Sequence, residues 1–409
     1  MAKVIAGTGS EQAAAPPESL IDSRAGWPTV VSTFLATFTV FGVAYSFGAF
    51  FKPMADEFGS DRGQTALFFS ITTFLYFAIG VITGRVADRI GPRRVLIVGA
   101  VCLVAGLLAT SRVQSLWLGY LTYALGVGIG VACAYVPMVA AVGGWFNLKR
   151  TNALGLAVAG IGVGTLVMAP LAERLIEANG WRDTYVYMAI GAAVLLGLAA
   201  IGANKPPQAA AAAPPVPILE LVKGNRAFWV LYLAMFLMTV VLFVPFVFMA
   251  DYLKQEEVSG SAGWIVGTIG ICSVLGRLGF GVIARRVSLM GLYQGSYLVV
   301  GLSFFLWILA GTSYPMLVLY AVVLGVSYGG FIALSPAVAA VVFGPVGLGG
   351  ILGALYTGAG IGGLIGPPLM GALIDAIGYT PTLVIGAVVG VASAVVLLGL
   401  RGEPRPAAA

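Results

Sequence analysis

The sequence predicts an all-α membrane protein whose twelve transmembrane helices form two pseudo-symmetric six-helix bundles. Three observations support this prediction: a strongly apolar composition, twelve long apolar runs and an internal repeat. Only 9% of the 409 residues are charged and 59% are hydrophobic, whereas about 25% of the residues of a typical soluble domain are charged. The composition excludes a soluble enzyme, a nucleic-acid-binding protein and a disordered scaffold.

Residue types that build metal and cofactor sites are scarce. The chain has no histidine, and each of its three cysteines (Cys102, Cys133 and Cys272) lies inside an apolar run. These residues cannot form a disulfide framework or a metal site of recognised spacing. The sequence also lacks the phosphate-binding pattern GxxxxGK[ST]. We therefore expect no enzymatic activity, no cofactor and no nucleic acid partner.

Twelve runs are long enough to cross a membrane as helices, which takes about 20 apolar residues. We number them spans 1 to 12, and they lie at 27–51, 64–86, 93–111, 115–143, 151–173, 184–203, 226–250, 261–284, 289–311, 314–341, 348–375 and 381–400. A Pro/Ala-rich stretch after span 6 is typical of a linker. The predicted organisation is a tail at 1–26, a bundle at 27–203, a linker at 204–225, a bundle at 226–400 and a tail at 401–409.

The basic residues predict the orientation of these spans. Most of the 22 lysines and arginines fall on the side of the two termini, whereas most acidic residues between the spans fall on the other side. Basic residues mark the cytoplasmic face of a membrane protein. We therefore expect both termini and the linker to be cytoplasmic, in a multi-pass protein of the cell (inner) membrane. We also expect a monomer surrounded by membrane lipid.

The two halves of the chain resemble each other. LGVGIGV at 125–131 matches LGVSYGG at 324–330, Pro137 matches Pro336, and AGIG at 159–162 recurs at 359–362. The matches pair span 4 with span 10 and span 5 with span 11. Because each repeat has an even number of spans, both halves insert in the same direction, as in major facilitator transporters, whose substrate site lies between the halves.

The connection between spans 2 and 3 reads GRVADRIGPRRV, at 84–95. It resembles the loop signature of major facilitator transporters, GxLxDRxGRRR, and a degenerate copy follows span 8. The resemblance implies a conformational latch that closes the cytoplasmic side in the outward-facing state. Its candidate residues are Gly84, Asp88, Arg89 and Arg93.

A second motif stands at the start of span 5, WFNLKRTNALGLAVAG at 145–160. It resembles the signature of monocarboxylate transporters: an aromatic pair, a basic pair and then small residues along a helix. The acidic-Gly-Trp element that this family carries near span 1 is present only in part, as DSRAGWP at 22–28. The resemblance covers essentially the whole chain, and the oxalate–formate antiporters are near neighbours.

Arg277 is the charged residue that the pattern places deepest within a span. It lies about two-thirds along span 8, and burying an arginine in a membrane costs at least about 2.5 kcal/mol. No carboxylate is predicted at a comparable depth, so the substrate itself is the simplest partner, because guanidinium binds carboxylate in bidentate fashion. A bond to helix carbonyls, or to Asp251, is the alternative. The resemblance also implies a substrate-binding arginine in this helix.

A single deep cation predicts a monoanion. Oxalate transporters carry a lysine in span 11, where this chain has the uncharged stretch LYTGAGIGG at 355–363. A dicarboxylate would leave one of its charges unpaired in a low-dielectric cavity. Lactate-sized monocarboxylates are therefore expected.

Neutral contacts are predicted from depth within the spans. The candidates are the tyrosines Tyr45, Tyr123, Tyr328 and Tyr356, since a hydroxyl in the membrane interior needs a hydrogen-bond partner. Two positions where animal monocarboxylate transporters carry titratable groups differ here: Tyr45 stands in place of a lysine, and Ser273 in place of an aspartate. We include Ser273 among the candidate substrate contacts.

The sequence therefore predicts a transporter of monocarboxylates such as L-lactate or pyruvate that works by alternating access, and the family resemblance implies proton symport. An oxalate–formate-type anion exchanger is the alternative, because the chain lacks the titratable groups usually assigned to proton handling. A membrane sensor without transport is a third possibility.

Overall fold

The computed structural model describes residues 20–207, 224–284, 286–344 and 348–400, and all regular structure in these ranges is helical. Eleven helices are long and apolar enough to cross a membrane. Both predicted tails lie largely or wholly outside the described residues, as do most of the predicted linker and Arg285 of the degenerate loop copy. The fold class predicted from the sequence is confirmed.

One of the eleven helices contains two of the predicted spans. The helix Arg150–Gly202 has 53 residues, and its regular backbone is interrupted at Gly180, where φ is 80° and ψ is 164°. At 1.5 Å per residue its length is about 80 Å, nearly twice the thickness of a bilayer with its headgroups. Spans 5 and 6 therefore lie on either side of Gly180, and the eleven helices contain twelve spans.

Spans 1, 4 and 7 are interrupted helices. Span 1 consists of Trp27–Tyr45 and Phe47–Phe58, and span 7 of Arg226–Leu242 and Val244–Gln255. Span 4 consists of Leu116–Gly119, a π-helical turn at Tyr120–Ala124, Leu125–Ala134 and Val136–Trp145. Proline follows the break in spans 4 and 7, where it removes a backbone donor and stops the preceding helix from continuing.

The remaining spans are single helices. Their bounds are Arg62–Ile90 for span 2, Pro92–Thr110 for span 3, Ala262–Ile283 for span 8, Leu289–Ala310 for span 9, Tyr314–Phe343 for span 10, Leu348–Ile377 for span 11 and Tyr379–Val396 for span 12. A 3₁₀ turn at Leu397–Leu400 follows span 12.

The repeat seen in the sequence has a counterpart in the backbone. Gly180 precedes span 6 and Gly378 precedes span 12, and their φ values are 80° and 83°. A side chain is strained at such a φ, so glycine suits both positions. The fifth and sixth spans of each half are thus joined by the same backbone turn.

The two halves, spans 1–6 and spans 7–12, meet along three helix pairs. Span 2 packs against span 11, span 5 against span 8, and the second helix of span 1 against that of span 7. The contact of spans 5 and 8 is close, because a Cβ atom on Gly162 would lie 2.3 Å from the carbonyl oxygen of Gly270. Small residues permit such an approach between membrane helices.

Two polar contacts, which we call the Arg62 clasp and the Glu173 clasp, join the halves at one end of the bundle. We call this end the acidic end, and the opposite end, which holds the 84–95 connection, the basic end. In the Arg62 clasp, Arg62 donates from Nε to Asp251 (2.6 Å), from Nη1 to Asp375 (2.6 Å) and from Nη2 to Gln255 (2.7 Å). Arg62 lies in the N-terminal half and its three partners lie in the C-terminal half.

The Glu173 clasp lies at the contact of spans 5 and 8. Its carboxylate accepts hydrogen bonds from the backbone N–H groups of Ala262 (3.2 Å) and Gly263 (3.1 Å), and from the hydroxyl of Ser261. A carboxylate at a helix N-terminus satisfies free N–H groups and favours the helix dipole. The Arg62 clasp repeats this arrangement, since the backbone N–H of Arg62 donates to Asp375 at 3.0 Å.

Candidate functional site

A central cavity of about 390 Å³ lies between the two halves. Residues from both halves line it, from the break in span 1 to Arg85 and Gly349 near the basic end. Its lining residues with large side chains are Phe41, Tyr45, Tyr76, Phe77, Arg85, Tyr135, Val136, Ile161, Met235, Thr239, Leu242, Phe243, Arg277, Tyr328, Phe331, Ile332, Leu352 and Tyr356. Among the residues that the structure describes, the lining contains two cations and no carboxylate.

Arg277 lies in the wall of this cavity. Its Nη1 donates a hydrogen bond of 3.2 Å to the carbonyl of Val158, on span 5 of the other half. Its Nε and Nη2 are buried and have no hydrogen-bond partner within the part of the chain that the structure describes. A bond to a helix carbonyl, which the sequence offered as the alternative, therefore occupies one of the three guanidinium nitrogens of Arg277. Two donors of a fixed charge remain, and a carboxylate can accept from both.

Tyr45 and Tyr328 meet at the deep end of the cavity. Their hydroxyls are 3.3 Å apart and hydrogen-bonded across the two halves. The Tyr45 ring packs on Phe246 with a centroid distance of 4.6 Å, and Phe246 lies 6.3 Å from the Tyr328 ring. Tyr45 sits at the last residue of the first helix of span 1, so the break at Ser46 sets its position. Three aromatic side chains thus close the cavity towards the acidic end.

Tyr356 also lines the cavity, on span 11, and its ring lies 6.0 Å from that of Phe77 on span 2. The structure therefore brings four of the predicted site residues to one cavity: Tyr45, Arg277, Tyr328 and Tyr356.

Two predicted contacts lie elsewhere. Tyr123 is 1% exposed and packs among the rings of Phe47, Phe68 and Tyr185, away from the cavity lining. Ser273 is buried where spans 8 and 10 meet, and its hydroxyl donates to the carbonyl of Gly270 at 2.7 Å. Depth within a span does not tell which way a helix turns its side chain, so it could not exclude either residue. We omit both from the proposed site.

Four polar lining residues were not among the predicted contacts. Tyr76 lies on span 2, Tyr135 at the break in span 4, Thr239 on span 7, and the exposed Arg85 near the mouth of the cavity. The pair Tyr135 and Pro137 was a usable signal, because proline interrupts a helix and re-aims the residues before it. Arg85 lies where the predicted span 2 overlaps the 84–95 motif, and only the loop role of that motif was predicted.

A second cavity, of about 290 Å³, lies at the acidic end between spans 1, 5, 7 and 8. Its charged lining residues are Lys52, Glu173, Glu177, Lys254 and Glu257. Tyr45 lines this outer cavity as well as the central one. The layer that contains Tyr45 therefore separates the two cavities.

The predicted latch residues lie at the basic end. A Cβ atom on Gly84 would meet Val136 of span 4 at 3.3 Å, which shows how closely spans 2 and 4 approach. Asp88, Arg89 and Arg93 are exposed, and no ion pair involves any of them among the described residues. The clasps close the acidic end, whereas the charged residues of the loop motif form no ion pair with any described residue at the other end.

The two parts of the monocarboxylate-transporter signature contact each other. The Asp22 carboxylate accepts hydrogen bonds from the backbone N–H groups of Asn147 (3.1 Å), Leu148 (3.0 Å) and Lys149 (3.0 Å). The N–H groups of Lys149 and Leu148, which favour the ionised carboxylate, lower the pKa of Asp22 from its ordinary value. The segment before span 1 is thereby tied to the connection between spans 4 and 5.

Comparison with known proteins agrees with this architecture. The chain matches the family Major Facilitator Superfamily over residues 33–309 and 260–409. It is 29% identical to Monocarboxylate transporter 4 of Mus musculus, covering 92% of this chain and 84% of that protein. It is 28% identical to Monocarboxylate transporter 12 of Xenopus laevis, covering 89% and 86%, and 28% identical to the agnestins efflux protein AgnL12 of Paecilomyces divaricatus, covering 92% and 87%.

The family match spans most of the chain, and the helices, the repeat and the cavity between the halves agree with it. The resemblance to monocarboxylate transporters recognised in the sequence is confirmed by these relatives. The chain is a multi-pass membrane protein and a transporter rather than an enzyme, and it belongs to the Major Facilitator Superfamily.

Proposed function

We propose that this protein transports monocarboxylates across the membrane and that Arg277 binds the carboxylate. The observation that carries the proposal is a pair of Arg277 donors that have no partner among the described residues, in a cavity whose described lining has no carboxylate. The names of the relatives, two of which are monocarboxylate transporters, support the same substrate class. Tyr45, Tyr328 and Tyr356 are the neutral groups that we assign to the same site.

The transport cycle follows from the two ends of the bundle. We assign the basic end to the cytoplasm, where the basic residues of the chain are concentrated. The central cavity then faces the cytoplasm while the clasps close the outer side. In the opposite state the clasps open, and Gly84, Asp88, Arg89 and Arg93 latch the cytoplasmic side.

The sequence predicts lactate-sized substrates, and the family resemblance implies proton symport. Because the chain has no histidine and the described residues of the lining include no carboxylate, we assign the proton to the substrate carboxylate rather than to a cavity side chain. Arg277 then returns without a counter-ion. The cost of that unpaired charge favours a second candidate, anion exchange, in which a carboxylate accompanies Arg277 in both directions.

The site is tested by replacing Arg277 with Lys or Ala and measuring substrate uptake into proteoliposomes. Loss of one partner from a buried hydrogen-bonded charge pair costs at least about 2 kcal/mol, so kcat/KM falls at least about 30-fold. The matched control is Arg112→Ala, since Arg112 is exposed between spans 3 and 4 and lines neither cavity. Near-normal uptake by Arg277→Ala, inserted at normal levels, would refute the assignment.

The coupling is tested with the same proteoliposomes and a panel of mono- and dicarboxylates. Symport predicts uptake driven by an inward proton gradient with no internal anion. Exchange predicts uptake that requires an internal anion and ignores the gradient. Binding without any flux would instead support a sensor.

A further inference from the structure

We infer that the preferred substrates are monocarboxylates with an apolar tail of about four or more carbons, branched or aromatic tails included, rather than lactate or pyruvate. The inference rests on the proposed function, because it takes Arg277 as the carboxylate site. The observation that supports it is the apolar composition of the cavity wall around Arg277.

The C-terminal half supplies both the cation and most of the aliphatic side chains of the cavity lining. We call the large apolar side chains of this half the apolar wall, which consists of Met235, Leu242, Phe243, Phe331, Ile332 and Leu352. It draws on spans 7, 10 and 11, while Arg277 stands on span 8 of the same half. When the carboxylate of a ligand binds Arg277, much of the rest of the ligand therefore lies next to hydrocarbon side chains rather than next to hydrogen-bonding groups.

The C-terminal half contributes three hydroxyl groups to the cavity lining, from Thr239, Tyr328 and Tyr356, and two of them are already hydrogen-bonded. The Thr239 hydroxyl donates to the carbonyls of its own helix, at 2.9 Å to Met235 and 3.1 Å to Phe236. The Tyr328 hydroxyl bonds that of Tyr45. A bond from Tyr356 to a 2-hydroxyl or 2-oxo group only replaces one lost to water, whereas each buried methylene adds a favourable transfer term.

The size of the cavity agrees with this composition. At about 30 Å³ for each water-sized group, 390 Å³ corresponds to about thirteen groups, against about six non-hydrogen atoms in lactate. The volume of a cavity that is open at one end falls when the cavity closes, whereas the composition of the apolar wall does not change.

The test is the affinity of the full-length purified protein for straight-chain acids from acetate to octanoate, with lactate, pyruvate and benzoate alongside. Affinity is read from the stabilisation that each acid gives against heat, which rises with ligand concentration over Kd. We expect Kd to fall up to about four-fold for each methylene from propanoate to hexanoate, the equivalent of about 0.8 kcal/mol. Lactate is expected to bind no tighter than propanoate.

Two variants separate binding in the cavity from the surfactant effect of longer acids. Arg277→Ala is expected to abolish the stabilisation by every acid, and hexanamide, which lacks the charge, is expected to give none with the parent protein. Leu352→Asn places an amide in the apolar wall and is expected to flatten the dependence on chain length. Leu148→Asn is the matched control, since Leu148 is 94% exposed in the connection between spans 4 and 5.

The outcomes distinguish this inference from the proposed function. If lactate binds through Arg277 as tightly as hexanoate or more tightly, the inference is overturned and the proposed function stands. If no acid of the panel stabilises the protein in an Arg277-dependent manner, both are overturned.

Discussion

Tyr45 is the side chain on which the separation of the two cavities depends. It lines both cavities, bonds Tyr328 through its hydroxyl and packs on Phe246 through its ring. The ring and the hydroxyl have different tasks. The ring fills the space between the cavities, whereas the hydroxyl links span 1 of one half to span 10 of the other.

Tyr45→Ala is expected to join the two cavities, and Tyr45→Phe to keep them apart. The measurement uses a cysteine at position 239 in the central cavity and a membrane-impermeant thiol reagent added from the acidic side. The alanine variant should react readily. The phenylalanine variant should react at most several-fold faster than the parent, because one neutral hydrogen bond is worth about 1 kcal/mol.

Proteins without the introduced cysteine report the background from Cys102, Cys133 and Cys272. Equal labelling of the alanine variant and the parent would show that Tyr45 is not the barrier.

At the scale of single residues, a functional charged side chain was easier to predict from the sequence than the set of side chains that line the cavity. Arg277 was found because a cation in an apolar span is rare and costly. Tyr123 lies at a suitable depth but packs in an aromatic cluster. Arg85 lies at the predicted end of span 2, within the loop motif, but the helix continues to Ile90 and Arg85 lines the cavity. Which face of a helix a side chain occupies depends on packing between spans, and a single sequence of nearly uniform hydropathy does not reveal it.

The segment before span 1 contacts the connection between spans 4 and 5 through the carboxylate of Asp22. Asp22 adopts a φ of 59°, a conformation that Asp and Asn tolerate better than most residues, and its carboxylate collects three backbone N–H groups of the 4–5 connection. Because the pKa of Asp22 is lowered in the folded protein, the contact stabilises the fold above the ordinary pKa of 3.8. The stabilisation is lost as the pH falls through the lower, folded-state value.

Asp22→Ala is expected to speed amide hydrogen exchange several-fold at Asn147, Leu148 and Lys149, because their N–H groups lose their acceptor. The measurement is hydrogen–deuterium exchange by mass spectrometry at neutral pH on the peptide that covers the 4–5 connection. Ser23→Ala is the control, since the Ser23 hydroxyl donates to the carbonyl of Leu20 and accepts from the N–H of Ala25, both within its own segment. Unchanged exchange in Asp22→Ala would contradict the proposed tie.

Hydropathy predicted the element boundaries well, but it did not predict the breaks within elements. The twelve predicted runs correspond to the observed spans because hydropathy largely decides which segments lie in the membrane. The breaks at Ser46, Tyr135 and Phe243 occur within apolar runs, where hydropathy gives no signal and only a following proline marks two of them. These breaks position three residues of the cavity lining, Tyr45, Tyr135 and Phe243.

The two clasps act on the molecule as a whole, because each joins one half to the other at the acidic end. In the Arg62 clasp, Asp251 is 3% exposed and also accepts a hydrogen bond of 2.5 Å from the Tyr379 hydroxyl. The Glu173 clasp relies on backbone N–H groups at the start of span 8. Opening of the acidic end therefore requires both clasps to separate.

Arg62→Lys and Glu173→Ala, alone and together, are expected to raise the population with an open acidic end. Each substitution removes about 1 to 2 kcal/mol of partly solvent-screened interaction, a shift of about five- to thirty-fold in the equilibrium. The distance between spin labels on cysteines at Asp56 and Lys254, exposed positions in opposite halves, measures the open fraction.

Arg182→Ala is the matched control, because Arg182 binds Glu57, Ser111 and Val113 within the N-terminal half. It should leave the label distance unchanged. An open fraction that rises no more in the double variant than in this control would exclude the clasps as the determinant of closure.

The layer at Tyr45 has an electrical consequence. Solution in the outer and central cavities brings the two bulk phases to within about one side chain of each other, so most of the membrane potential falls across that layer. A charge that crosses it gains or loses about 2.3 kcal/mol for each 100 mV. If Arg277 binds the carboxylate as proposed, an unprotonated substrate forms a neutral pair with it that crosses without regard to voltage. A substrate that carries a proton leaves the site positive, as it is when empty. The voltage dependence of uptake therefore distinguishes anion exchange from proton symport.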